Sequence, residues 1–193
     1  MSEANAAEGD VSKRLAQLEE EVGALRRRLE KASRKDSVSI VCFSDSWDKL
    51  FAAFTIANGA LAMGQEVHMF FTFWGATAIR KCGAKPAQGK NWMQRMVGKM
   101  LPRHIDDTPL SKLHFFGLGK LMMSRLMKRK GVENLPSLVE RARELGVHFH
   151  CCDTSLQLFG WKNEELVDGD ASHWCGVSTF LAEALNGKIT LFI

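Results

Sequence analysis

The apolar positions of this chain follow two rhythms, and the change between them comes near residue 36. In the first stretch Val11, Leu15, Leu18, Val22, Leu25 and Leu29 recur at alternating gaps of four and three, the spacing of a heptad seam. Glu19, Glu20, Arg26 and Arg28 flank the seam. The pattern predicts an N-terminal coiled-coil-like helix over 11–35, and the small, acidic residues 1–10 ahead of it are expected to be disordered. The seam covers under three heptads and contains Gly23, so it needs either a partner helix or its own domain to hold it.

From Ser37 the rhythm shortens. SVSIVCF (37–43) is a β-branched run that predicts a buried strand, and a helix follows from about Asp45 with Leu50, Phe54, Ala57 and Leu61 on one face. Gly64 stands in the C′ place that stops a helix. EVHMFFTFWG (66–75) predicts a second buried strand closed by glycine. Pro136 opens a helix stopped by Gly146, VHFHC (147–151) is another strand, and a short helix is expected near 155–159. A helix over about 179–185, an Asn186-Gly187 turn and the strand KITLFI (188–193) close the chain. Unbroken apolar strands alternating with helices predict an α/β fold, an open, mostly parallel sheet with helices on both faces, over 37–193.

Composition fits such a core, with 46% apolar residues in 193. The five cysteines have no framework spacing, and the N-terminus lacks a basic-then-apolar leader, so a reducing, cytoplasmic setting is expected. The apolar region 50–79 is broken by Asn58, Gln65, Glu66 and His68, too often for the roughly 20 continuous residues of a membrane span. Charge is uneven. Residues 80–130 hold thirteen Lys or Arg against Asp106 and Asp107, together with six of the nine methionines. This basic, Met-rich excursion suits either an anionic partner or weak contact with a membrane surface, or it packs its methionines on the core. Nucleic acid is not expected, because Tyr is absent and no zinc-finger or RRM signature occurs.

The candidate chemistry lies in FHCCDTSLQLFG (149–160), where two cysteines stand side by side between a strand and a helix. Ligands gather outside the carboxyl ends of strands in such sheets. A thiol at a helix N-terminus has its thiolate favoured by the backbone N–H groups and the helix dipole. Asp153, Thr154 and Ser155 are the candidate caps. Packing of both thiols is the bland alternative. A metal site is another, since His148, His150, His173, Cys175 and Cys152 offer imidazole and thiolate ligands. No CxxC or HExxH supports it, and GLGK (117–120) is not a phosphate loop, so neither metal nor cofactor is expected.

FFTFWG (70–75), MQRMVGKM (93–100), SKLHFFGLGKLMMSRLMK (111–128), the Cys152-x-x-Ser155 segment ending at Gly160, and the terminal LFI together give a resemblance. The chain from about Ser37 onward resembles the DsrE/DsrF-like sulfur-carrier and sulfurtransferase family, in particular its longer branch often labelled peroxiredoxin-like. The resemblance implies a flavodoxin-like domain that forms homo-oligomers. It also implies a cysteine that accepts sulfur as a persulfide or thiosulfonate and passes it to a partner, such as a small TusA-like carrier. Counted back from Gly160, that cysteine is Cys152, with Cys151 as a neighbour that modulates or resolves it. Ser155, Thr154, His150, Trp74 and Gly75 are the expected supporting residues. Thr154, Leu156, Gln157 and Phe159 depart from the methionines and aspartate of that branch. A non-catalytic oligomeric binding module remains the rival reading of the same residues.

Overall fold

A computed structural model describes residues 2–32, 35–81, 91–102, 105–112, 118–162, 165–166 and 173–193. Two compact units divide at Lys35 and Asp36. The first is the helix α1, Ser2–Ala32. It begins at Ser2, not at Val11, and so takes in residues that the sequence predicts as disordered. Ala4, Ala6, Ala7, Glu3 and Glu8 are strong helix formers and extend the helix toward the N-terminus at little cost. Leu15, Leu18, Val22, Leu25 and Leu29 are all exposed along it.

The second unit is a five-stranded sheet with helices on both faces. Its strands are β1 (Lys35–Cys42), β2 (Glu66–Phe71), β3 (His148–Cys152), β4 (His173–Cys175) and β5 (Gly187–Phe192), in spatial order β4-β3-β2-β1-β5. The ladders β1–β2, β2–β3 and β3–β4 are parallel. The helices are α2 (Trp47–Ala62), α3 (Trp92–Met100), α4 (Leu118–Lys130), α5 (Leu135–Glu144), α6 (Asp153–Phe159) and α7 (Val177–Asn186). Side chains alternate across a strand, and here the alternation separates two cores. Ile40, Cys42, Met69, Phe71, Phe149 and Cys151 pack with Phe54 of α2 and with Leu138 and Ala142 of α5. Phe70, Cys152 and Cys175 pack on the other face with Phe180 and Ala184 of α7.

Two elements differ from the sequence expectation. β4 has only three residues, too few for any periodicity to show. The FWG end of FFTFWG is not strand: Phe73–Ile79 form a 3₁₀ segment. The ladder must stop there because Gly75 passes against the β1 backbone, where a Cβ would stand 2.1 Å from the Cys42 carbonyl oxygen. In the basic excursion, residues 82–90, 103–104 and 113–117 lie outside the described ones. Among the rest, Met93, Met96, Met100 and Met122 are exposed, while Met123 and Met127 pack on the main core. The expected packing of methionines on the core therefore holds for Met123 and Met127.

Candidate functional site

β3 ends at Cys152 and α6 starts at Asp153, so Cys152 itself is the N-cap residue of α6, in place of Asp153, Thr154 or Ser155. A residue at this junction lies beside the unpaired N–H groups of the first helical turn. Burial raises the Cys152 thiol pKa, but the Ser155 and Thr154 N–H groups and the Thr72 and Ser155 hydroxyls outweigh it. The net shift is downward from the ordinary thiol value. These groups hydrogen-bond the charged sulfur and so favour the thiolate. The residue is largely buried, 9% exposed, at the carboxyl edge of the sheet.

Ser155 is the joint of the site. It is buried, its hydroxyl accepts from the Phe73 N–H at 2.8 Å, and it lies 3.2 Å from the Thr72 hydroxyl. Through it the first turn of α6 holds the turn that follows β2. Phe73 has φ +47°, and it is the one non-glycine residue with positive φ among the described residues. Backbone strain of this kind persists where the surroundings over-determine it and tends to collect at functional sites. Here the Ser155 bond and the Phe43 ring, 5.6 Å away, hold the turn. Trp74 is half exposed beside Phe73 and Phe159. With Phe43, Phe73 and Phe192 it gives the site an exposed aromatic rim.

Cys151 points the other way. It is 0% exposed within the main core, and burial, with the Cys152 and Cys175 charges, pushes its thiol up to about 12. A thiolate is unavailable there near neutral pH. The thiol that shares a face with Cys152 is Cys175, its direct partner in the β3–β4 ladder. The sequence marks Cys175 only as a candidate metal ligand. Thr72 was also missed, since nothing local in the sequence announces a hydroxyl brought in from another strand.

The histidines form a group of their own. His68 Nδ1 lies 3.2 Å from His150 Nε2, and the His68 ring stacks on both His148 and His150. Glu66 approaches Nε2 of His68 at 3.2 Å and of His148 at 3.5 Å. Burial lowers the His68 pKa in spite of the attraction from Glu66. His150 shares the Cys152 face, two residues back on β3, and its ring meets His68 and Phe180. Among the described residues no cluster of three His, Cys, Asp or Glu is arranged to hold a metal ion; the His173 side chain lies outside them.

Gln94 ties the basic excursion to the site helix. Its side chain completes the capping box with Asn91 at the start of α3 and donates to the Gln157 carbonyl at 3.1 Å. Gly160 ends α6 in the left-handed conformation, and a Cβ there would stand 2.8 Å from the Gln94 amide.

Residues 34–192 match the sequence model of the DsrE/DsrF/DrsH-like family. The chain belongs to that family. It is 43% identical over 155 residues to the uncharacterized protein YrkE of Bacillus subtilis, covering 80% of this chain and 95% of that one. It is also 29% identical over 161 residues to the sulfur carrier protein DsrE2 of Allochromatium vinosum, covering 81% and 97%. The crystal structure of the ychN protein from E. coli superposes with a TM-score of 0.50 at 14% identity, over 82% of this chain and 99% of that one. That likeness concerns the fold, which is the flavodoxin-like one. α1 lies wholly ahead of the region that the family model matches. Among the described residues, no helix of this DsrE-like protein is long and apolar enough to cross a membrane.

Proposed function

We propose that this DsrE-like protein carries sulfane sulfur on Cys152 and hands it to a partner protein. The observation that carries this reading is the Cys152 thiol at the β3–α6 junction, its pKa lowered by the first-turn N–H groups and by Ser155 and Thr72. A persulfide donor R–S–SH would be attacked at its terminal sulfur by the Cys152 thiolate. A new S–S bond forms on Cys152, the donor S–S bond breaks, and R–S⁻ leaves with the bonding pair. A partner thiolate, such as that of a small TusA-like carrier, then repeats the step on Cys152–S–SH. With tetrathionate the same attack on an inner sulfur expels thiosulfate and leaves a thiosulfonate on Cys152. Cys151, inside the core, has a packing role.

The test uses the native protein. Incubated with glutathione persulfide or tetrathionate and freed of excess, it should gain mass that a thiol reductant removes, and peptide mapping should place the gain on Cys152. A gain found only on Cys82 or on Cys175, or no gain at all, contradicts the reading.

The same reading includes self-assembly, supported by the exposed leucine stripe of α1. Burying such leucines in the helix of a second copy removes each from water, worth about 1.5–3 kcal/mol at full burial before ordering costs. Light scattering coupled to size exclusion should show the full chain as a homo-oligomer. A form lacking residues 1–35 should still take up sulfur but form a smaller or weaker assembly. A full chain that runs as a monomer at micromolar concentration would defeat the assembly claim.

A further inference from the structure

Cys152 and Cys175 face each other as ladder partners in adjacent parallel strands, and each is the last residue of its strand. Neighbouring strands lie about 4.8 Å apart, which is inside the roughly 4.4–6.8 Å Cα separation that a disulfide spans. Facing residues also project from the same side of the sheet. A disulfide needs its Cβ atoms about 3.8 Å apart, somewhat closer than the strand spacing. The required shift is available here, because the ladder ends at this pair and both chains turn away into helices α6 and α7. Both thiols belong to one small buried cluster with Phe70, Phe180 and Ala184. They sense one another: burial, and then charge on Cys152, push the Cys175 thiol up to about 11. Cys151 lies on the opposite face.

We propose that Cys175 is a resolving thiol that discharges sulfur from Cys152 when no partner collects it. The inference rests on the carrier reading above. In the step, the Cys175 sulfur attacks the inner sulfur of Cys152–S–SH. The Cys152–Cys175 bond forms, the bond to the terminal sulfur breaks, and that sulfur leaves with the electron pair. The Cys175 proton goes with it, so the products are one intramolecular disulfide and one H₂S. The terminal sulfur is reduced and the Cys175 sulfur is oxidised. Two molecules of a low-molecular-weight thiol then restore both cysteines and become a disulfide themselves. Burial keeps most of Cys175 protonated, so only its small thiolate fraction attacks, and resolution is slow beside hand-over to a partner.

The experiment compares the native protein with Cys175→Ser and Cys175→Ala after loading with glutathione persulfide and removal of the excess. H₂S release and cross-linked peptides are followed over time. The native chain should release H₂S as a Cys152–Cys175 cross-linked peptide appears, and both variants should keep their sulfur roughly tenfold longer or more. Diamide should close the same bridge in the unloaded native protein. Equal rates of sulfur loss in native and variant proteins, or no cross-linked peptide after either treatment, overturns the resolving role while leaving the carrier reading intact. No uptake on Cys152 in any of the three proteins overturns the carrier reading, and the resolving step with it.

Discussion

Cys152→Ser is expected to reduce sulfur uptake to background, while Cys151→Ala leaves it little changed. A serine hydroxyl retains the hydrogen-bonding groups of Ser155 and Thr72 but supplies neither a thiolate nor an S–S bond, so no residual activity is expected. Alanine is the better probe at Cys151, because a hydroxyl left unpartnered in that fully buried place would cost about 1–3 kcal/mol. The readout is intact mass after treatment with a persulfide donor, beside a denaturation curve showing that both variants fold. Uptake that survived Cys152→Ser but vanished in Cys151→Ala would reverse the assignment of the two thiols.

Gly75→Ala should be the most damaging single change to the site's frame. The added methyl would lie 2.1 Å from the Cys42 carbonyl oxygen and 2.6 Å from its carbon. Neither backbone can easily retreat. Gly75 donates to Phe43 at 2.9 Å, Thr72 donates to Cys42 at 3.0 Å, and Cys42 is a ladder partner of Phe71. We expect a loss of about 3–4 kcal/mol, a large part of the roughly 5–15 kcal/mol that stabilises a domain. Urea denaturation of soluble protein measures it, and an unchanged midpoint would show that the turn can yield. Because the same turn presents Thr72 and Phe73 to Ser155, whatever variant folds should also take up sulfur more slowly.

Much of this arrangement was legible in the sequence because it is written in local patterns. The runs SVSIVCF, EVHMFF and VHFHC gave β1, β2 and β3, and Gly64 and Gly146 marked the ends of helices. The strand-to-helix junction at Cys152 could be read in the same way, since apolar strand, polar turn-formers and a short amphipathic run follow one another there. What escaped lay in contacts between distant segments. β4 is three residues of no distinctive pattern, yet it brings Cys175 next to Cys152. Thr72 and Ser155 are 83 residues apart and meet only because β2 and β3 are neighbours. Phe73 and Trp74 looked like strand because they are large and apolar, while the decisive fact was the missing Cβ at Gly75. The N-terminal ten residues looked unstructured by composition, although their alanines and glutamates continue a helix once one is present.

The opposite facing of the two adjacent cysteines has a consequence for how this segment can change. Residues 151 and 152 touch in the sequence, but a whole sheet lies between their side chains, so each answers to a different requirement. At 151 a replacement is judged by volume and dryness, and any small apolar residue that fills the space beside Phe149 and α5 will pass. At 152 it is judged by reactivity, and no residue of the same size will do. The doublet is thus two unrelated positions that happen to hold the same letter, free to drift apart one at a time.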